Sequence, residues 1–96
     1  MPGRIPKVVV VGGTYVDIVI RCDQAPSPGQ SVAGSRLSYT ATGPGPNQAA
    51  EAALCGCQVH LISTVGGDPF AQMVKTSLAE FNINSDFIHT AEAKNT

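Results

Sequence analysis

The stretch that most constrains this chain is Gly43-Pro44-Gly45-Pro46-Asn47-Gln48-Ala49, where a stiff Gly/Pro loop runs straight into an alanine-rich segment. Two glycines allow torsions and close approaches that other residues do not. A proline then falls in the first turn of a helix, where its missing N–H does no harm. The sequence predicts that helix over Asn47 to about Cys55, closed by Gly56 as a C-cap. Its N-terminal N–H groups and positive dipole end are expected to face whatever the loop holds, an electron-rich small molecule such as a hydroxylated or phosphorylated compound.

The segments around this loop read as an α/β pattern. Lys7-Val8-Val9-Val10-Val11 is an unbroken β-branched run ending in Gly12-Gly13, and it suits a central strand of a parallel sheet covered by helices. Tyr15 to Arg21 alternates, with Val16, Ile18 and Ile20 on one face and Asp17, Val19 and Arg21 on the other. Ala25-Pro26-Ser27-Pro28-Gly29 is a turn, and Ser31 to Thr42 reads as a second, edge-like strand. These two polar segments are expected to pair as a small antiparallel sheet standing off the body. Gln58 to Val65 is a further strand, and Asp68 and Pro69 are placed as N-cap and first residue of a helix running to about Phe81. Asp86 to His89 is a third strand of the body. With the hairpin set aside the order is β-α-β-α-β, half of a doubly wound domain. No covering helix follows the last strand, so residues 1–96 read as the N-terminal fragment of one larger domain.

Composition narrows the functions. The chain has 96 residues, 43% hydrophobic and 14% charged, with a net charge of −1. Such a balance argues against a nucleic-acid surface, which needs clustered Lys and Arg, and against a disordered tail. No apolar run reaches the ~20 residues of a membrane span. Met1 to Arg4 lacks the pattern of a secretory signal, and Cys22, Cys55 and Cys57 are an odd number that does not suggest a disulfide framework, so the expected location is the cytoplasm. A single domain of this length buries only about 60–65% of its unfolded surface.

Several of these features, in this order, resemble the N-terminal signature of the ribokinase-like (PfkB) carbohydrate kinases. The spacing Gly43-x-Gly45-x-Asn47-x-Ala49, followed by Gly56 and Gly66, carries the resemblance. Gly12-Gly13, Asp17, Pro26-x-Pro28-Gly29, Val65-Gly66-Gly67-Asp68-Pro69-Phe70 and Asn82-Ile83 add to it, so it covers essentially the whole chain. The resemblance implies a three-layer α/β/α body with a protruding β-sheet lid, here strands of about 15–22 and 31–42. It implies an enzyme that moves the γ-phosphoryl of ATP, with Mg²⁺, to a hydroxymethyl group of a small sugar-like substrate. It assigns substrate contacts to Asp17, Gly43, Pro44, Gly45 and Asn47, the carboxylate and the amide being able to meet vicinal hydroxyls. A homodimer through the lid strands is a further expectation, with Val16, Ile18 and Ile20 as the shared face.

The chain departs from the family pattern at two places. The ribokinase loop usually reads Gly-Gly-Lys-Gly-Ala-Asn, whereas here it is Thr42-Gly43-Pro44-Gly45-Pro46-Asn47, and Tyr15 stands where ribokinases carry an asparagine. Another sugar, a sugar acid or a nucleoside therefore stands beside ribose as substrate. The family's Gly-Ala-Gly-Asp segment, which carries the catalytic base, has no counterpart in these residues. No catalytic residue is assigned, and the 96 residues alone are expected to be inactive. Two other readings stand beside the kinase: a non-catalytic sugar-binding or regulatory module, and a structural fragment that associates through open sheet edges.

Other features have plainer explanations. Asp68 before Pro69 is accounted for by capping. Cys55-Gly56-Cys57 has no second pair to complete a metal site, and the cysteines read as small core residues beside the glycine cap. Gly12-Gly13 does not open a helix, so it is not a dinucleotide fingerprint.

Overall fold

The computed structural model describes residues 4–96. The valine run forms β1 (Lys7–Val11), which pairs in parallel with β4 (Gln58–Gly66), Val8 opposite Val59 and Val10 opposite Leu61. Parallel neighbours need a crossover between them, and here it contains the hairpin β2 (Tyr15–Arg21) and β3 (Arg36–Thr42) and the helix α1 (Pro44–Leu54). A second helix, α2 (Pro69–Glu80), leads from β4 to β5 (Ile83–Asn84) and β6 (Ile88–Ala91), both parallel to β4.

β5 and β6 act as one interrupted strand. Ile83 pairs with Val59 and Ile88 with Ser63, which leaves one extra residue between them. The interruption is local chemistry: the Asn84 side-chain carbonyl accepts the Asp86 N–H at 2.9 Å, a turn that competes with the ladder. The sequence reading started its last strand at Asp86 and did not separate Ile83–Asn84, because a two-residue strand leaves no periodic signal.

The core lies on one face of this sheet. Val10, Val59, Leu61, Val65, Ile83 and Ile88 meet Ala49 of α1 and Val74 and Leu78 of α2, all buried. The other face is open among the described residues, with Val9 60% and Val11 73% exposed. Among the described residues β1 pairs with β4 and is covered by helices on one face. The cysteines correct an expectation in part. Cys55 is exposed rather than a core residue, whereas Cys57 is half-buried and packs against the core.

Helix ends follow their caps. Asp68 accepts the Ala71 N–H at 3.2 Å and Pro69 opens α2, as the sequence indicates. Past its other end, Asn82 takes a left-handed φ of 58°, a conformation that asparagine tolerates better than most residues. α1 begins a turn earlier than expected, at Pro44 rather than Asn47, with Gly43 as its N-cap.

The hairpin pairs Tyr15 with Thr42 through to Arg21 with Arg36. β3 starts at Arg36, not Ser31, because Gly34 crosses against the Ile20 side chain and the Ser35 N–H closes onto the Arg21 carbonyl at 2.7 Å. The pair forms a separate two-stranded sheet that projects from the body. A radius of gyration of 16.6 Å and extents of 59 × 32 × 18 Å record the projection, since a compact chain of this length has a radius near 12–13 Å. No helix among the described residues is long and apolar enough to cross a membrane.

Candidate functional site

The Gly/Pro loop and the end of β1 form a backbone-to-backbone junction. A Cβ at Gly12 would lie 2.9 Å from the Gly45 Cα, and one at Gly45 would lie 2.7 Å from the Gly12 carbonyl oxygen. Gly43 is held at φ 117°, and a Cβ there would meet the Gly13 oxygen at 2.7 Å and the Tyr15 ring at 2.9 Å. Only glycine fits such a contact. The two glycine pairs are thus matched to each other, across about thirty residues of sequence.

This junction changes what the helix start can offer. Of the first three residues of α1, Pro44 and Pro46 have no N–H, and the Gly45 N–H donates to the Gly13 carbonyl at 2.9 Å. The Asn47 N–H is already within the helix, bonded to the Gly43 carbonyl at 3.0 Å. The expectation that free N–H groups face a ligand here is therefore corrected: the first turn has none to give. Gly43 and Gly45 are buried, whereas Pro44 and Asn47 are exposed.

Beyond the junction, the chain is pinned over the end of β4. Ser63 Oγ donates to the Gly12 carbonyl at 2.6 Å and lies 2.7 Å from Thr14 Oγ1. Serine has one proton, so Thr14 is the donor to Ser63. Thr14 is 5% exposed. Neither residue stood out in the sequence, because a hydroxyl within a β-rich run is ordinary there.

A cleft of about 540 Å³ opens at the carboxyl ends of β1 and β4, bordered by Gly13, Tyr15, Ser63, His89, Asn95 and Thr96. That is where parallel α/β sheets hold ligands. Tyr15 borders the cleft, and alternation along β2 puts Asp17 on the same strand face as Tyr15. Their cross-strand partners are Thr42 and Thr40, so this face of the hairpin is polar, and the opposite face carries Val16, Ile18, Ile20, Leu37 and Tyr39. Asp17 is exposed and opposite Thr40. Asn47 borders a different hollow, about 200 Å³ between β3, α1 and α2, with Thr40, Ser77 and Phe81. The structure thus joins Gly43 and Gly45 to Tyr15, puts Asp17 on the strand face of Tyr15, and turns Asn47 to the second hollow.

The described residues do not fit a nucleotide–metal site. No group of three or more His, Cys, Asp or Glu side chains among them is placed to hold a metal ion. The start of α1 also has no free first-turn N–H for a phosphate.

A model of the pfkB family of carbohydrate kinases matches residues 5–96. The chain belongs to that family. Among its pfkB relatives, the ribokinase of Bacillus subtilis is 30% identical over 82 residues, which are 85% of this chain and 28% of that protein. A carbohydrate kinase from Agrobacterium tumefaciens superposes with a TM-score of 0.84 at 26% identity, over 96% of this chain and 29% of the other. The ribokinase of Cryptococcus neoformans, solved in complex with ADP, superposes at 0.77 and 25% identity, over 95% and 28%. The fold is that of the ribokinases, a mixed α/β body with a parallel sheet and a separate antiparallel hairpin. The chain spans less than a third of the length of these proteins.

Proposed function

We propose that these residues form the sugar-binding side of an ATP-dependent carbohydrate kinase, the β2–β3 hairpin serving as a lid over the carboxyl-end cleft. The observation that carries this reading is the polar hairpin face of Asp17, Thr40 and Thr42, which continues through Tyr15 into that cleft in a chain matched to the family over residues 5–96. Asp17 accepts hydrogen bonds from sugar hydroxyls; Pro44 and Asn47 are assigned substrate contacts by the family pattern, Asn47 from the neighbouring hollow between β3, α1 and α2. Gly43 and Gly45 act through their shape, by seating α1 on the end of β1.

In the reaction the acceptor hydroxyl attacks the γ-phosphoryl of ATP and passes its proton to a carboxylate. That base, the nucleotide and Mg²⁺ are assigned to polypeptide outside these 96 residues, which is consistent with the family relatives' greater length. The protein is assigned to the cytoplasm, with reduced thiols. Release of ADP by the full-length gene product, measured across pentoses, hexoses, sugar acids and nucleosides, tests the reading. Saturable release with at least one of them, and none from residues 1–96 alone, is the expected result. No release with any of them contradicts it.

A further inference from the structure

The turn between β4 and α2 is tied to the last residues of the chain by a set of hydrogen bonds that helix capping does not require. Asp68 Oδ2 accepts the Thr96 N–H at 2.7 Å, and Asp68 Oδ1 accepts the Thr96 hydroxyl at 2.6 Å beside the Ala71 N–H at 3.2 Å. The Gly66 N–H donates to Thr96 Oγ1 at 3.0 Å, and the Gly67 N–H to the Lys94 carbonyl at 3.0 Å. The approach leaves no space for side chains. A Cβ at Gly66 would overlap main-chain atoms of Lys94, Asn95 and Thr96, and one at Gly67 would come within 2.8 Å of the Glu92 carbonyl oxygen.

Two of the residues so held, Asn95 and Thr96, border the carboxyl-end cleft, whereas Asp68 does not. The same turn reaches the hairpin. Phe70, in the first turn of α2, packs its ring 6.0 Å from that of Tyr39 in β3. One short segment therefore touches both the cleft wall and the strand pair above it.

We propose that Asp68 is a positioning residue, which from the cap of α2 holds residues 94–96 in place as one wall of the cleft. Charge-assisted hydrogen bonds are about twice as strong as neutral ones, and two of them here end on Thr96. The Thr96 hydroxyl, foremost, and its N–H hold the Asp68 carboxyl below the usual aspartate range, so the latch is charged at neutral pH. Its consequence for sugar binding rests on the kinase reading above.

The test uses the full-length gene product. Asp68→Ser keeps an oxygen to cap Ala71 but removes the charge and the second oxygen, and Thr96→Val removes only the hydroxyl. Amide hydrogen exchange across residues 92–96 is expected to quicken about tenfold or more in Asp68→Ser, with KM for the sugar raised about tenfold or more and kcat nearly unchanged, as the loss of the charged hydrogen bonds to Thr96 implies. The double variant is expected to be no worse than Asp68→Ser alone. Unchanged exchange, or faster exchange with an unchanged KM, overturns the proposal and leaves Asp68 a helix cap. If the wild-type protein turns over no sugar, the kinase reading fails, while the exchange result still decides the latch.

Discussion

At the scale of single residues, the glycine contacts are the sharpest feature. Gly45→Ala would place a methyl 2.7 Å from the Gly12 carbonyl oxygen, with backbone on both sides and no flexible neighbour to yield. We expect a loss of about 1–3 kcal/mol, the usual range for overpacking, read as a lower Tm. An unchanged Tm would show that the junction is looser than described. Asp68 gives a second prediction. Its carboxyl is held below its ordinary range, by the Thr96 hydroxyl foremost, so the stability it adds is complete above the ordinary aspartate value and is lost as pH falls through the lowered one. Thr96→Val lets the carboxyl rise toward its ordinary range, so acid unfolding should begin at a higher pH than in the wild type. Coincident acid-unfolding curves would contradict this. The cap at Asp68 was legible because every group it needs lies within three residues. Gly43 and Gly45 were legible as a motif but not in their physical role, because their partners Gly12 and Gly13 are distant in sequence and each half alone looks like a turn.

At the scale of elements, long periodic segments were readable and short or shared ones were not. β1, β2, β4 and α2 fall within a residue of their expected bounds, since each carries its own hydrophobic pattern. The start of α1 was misplaced because Pro44 and Gly45 look like loop residues, whereas the helix's first bond runs from the Asn47 N–H to the Gly43 carbonyl and the Gly45 N–H is held by the distant Gly13 carbonyl. β3 was drawn too long because the polar run before Arg36 has strand-like composition but no partner strand. The hairpin's apolar face gives the prediction at this scale. Ile20 is 60% and Leu37 52% exposed, and we infer that a second copy of the chain covers them, since such paired faces close symmetric dimers. Ile20→Asp should leave the unfolding free energy of the body within about 0.5 kcal/mol of wild type while shifting the sedimenting species from dimer to monomer. A wild-type protein that sediments as a monomer would contradict it.

At the scale of the molecule, one face of the parallel sheet is built and the other is bare among the described residues. Val9, Val11, Ile62 and Phe87 leave that face apolar. Burying it would contribute at roughly 25 cal/mol per Å², a large reward for whatever covers it. The sequence carried the family through several motifs in order, and the match over residues 5–96 bears that out.

The most direct test of the sugar-side assignment is the affinity of the full-length protein for whichever sugar drives ADP release, with and without Asp17. Calorimetric titration of wild type and Asp17→Ala should show affinity falling about 10- to 100-fold in the variant, the range expected for losing hydrogen bonds to a charged group. The Tm should not change, since Asp17 is exposed and outside the core. Equal affinities in two equally folded proteins would contradict the account.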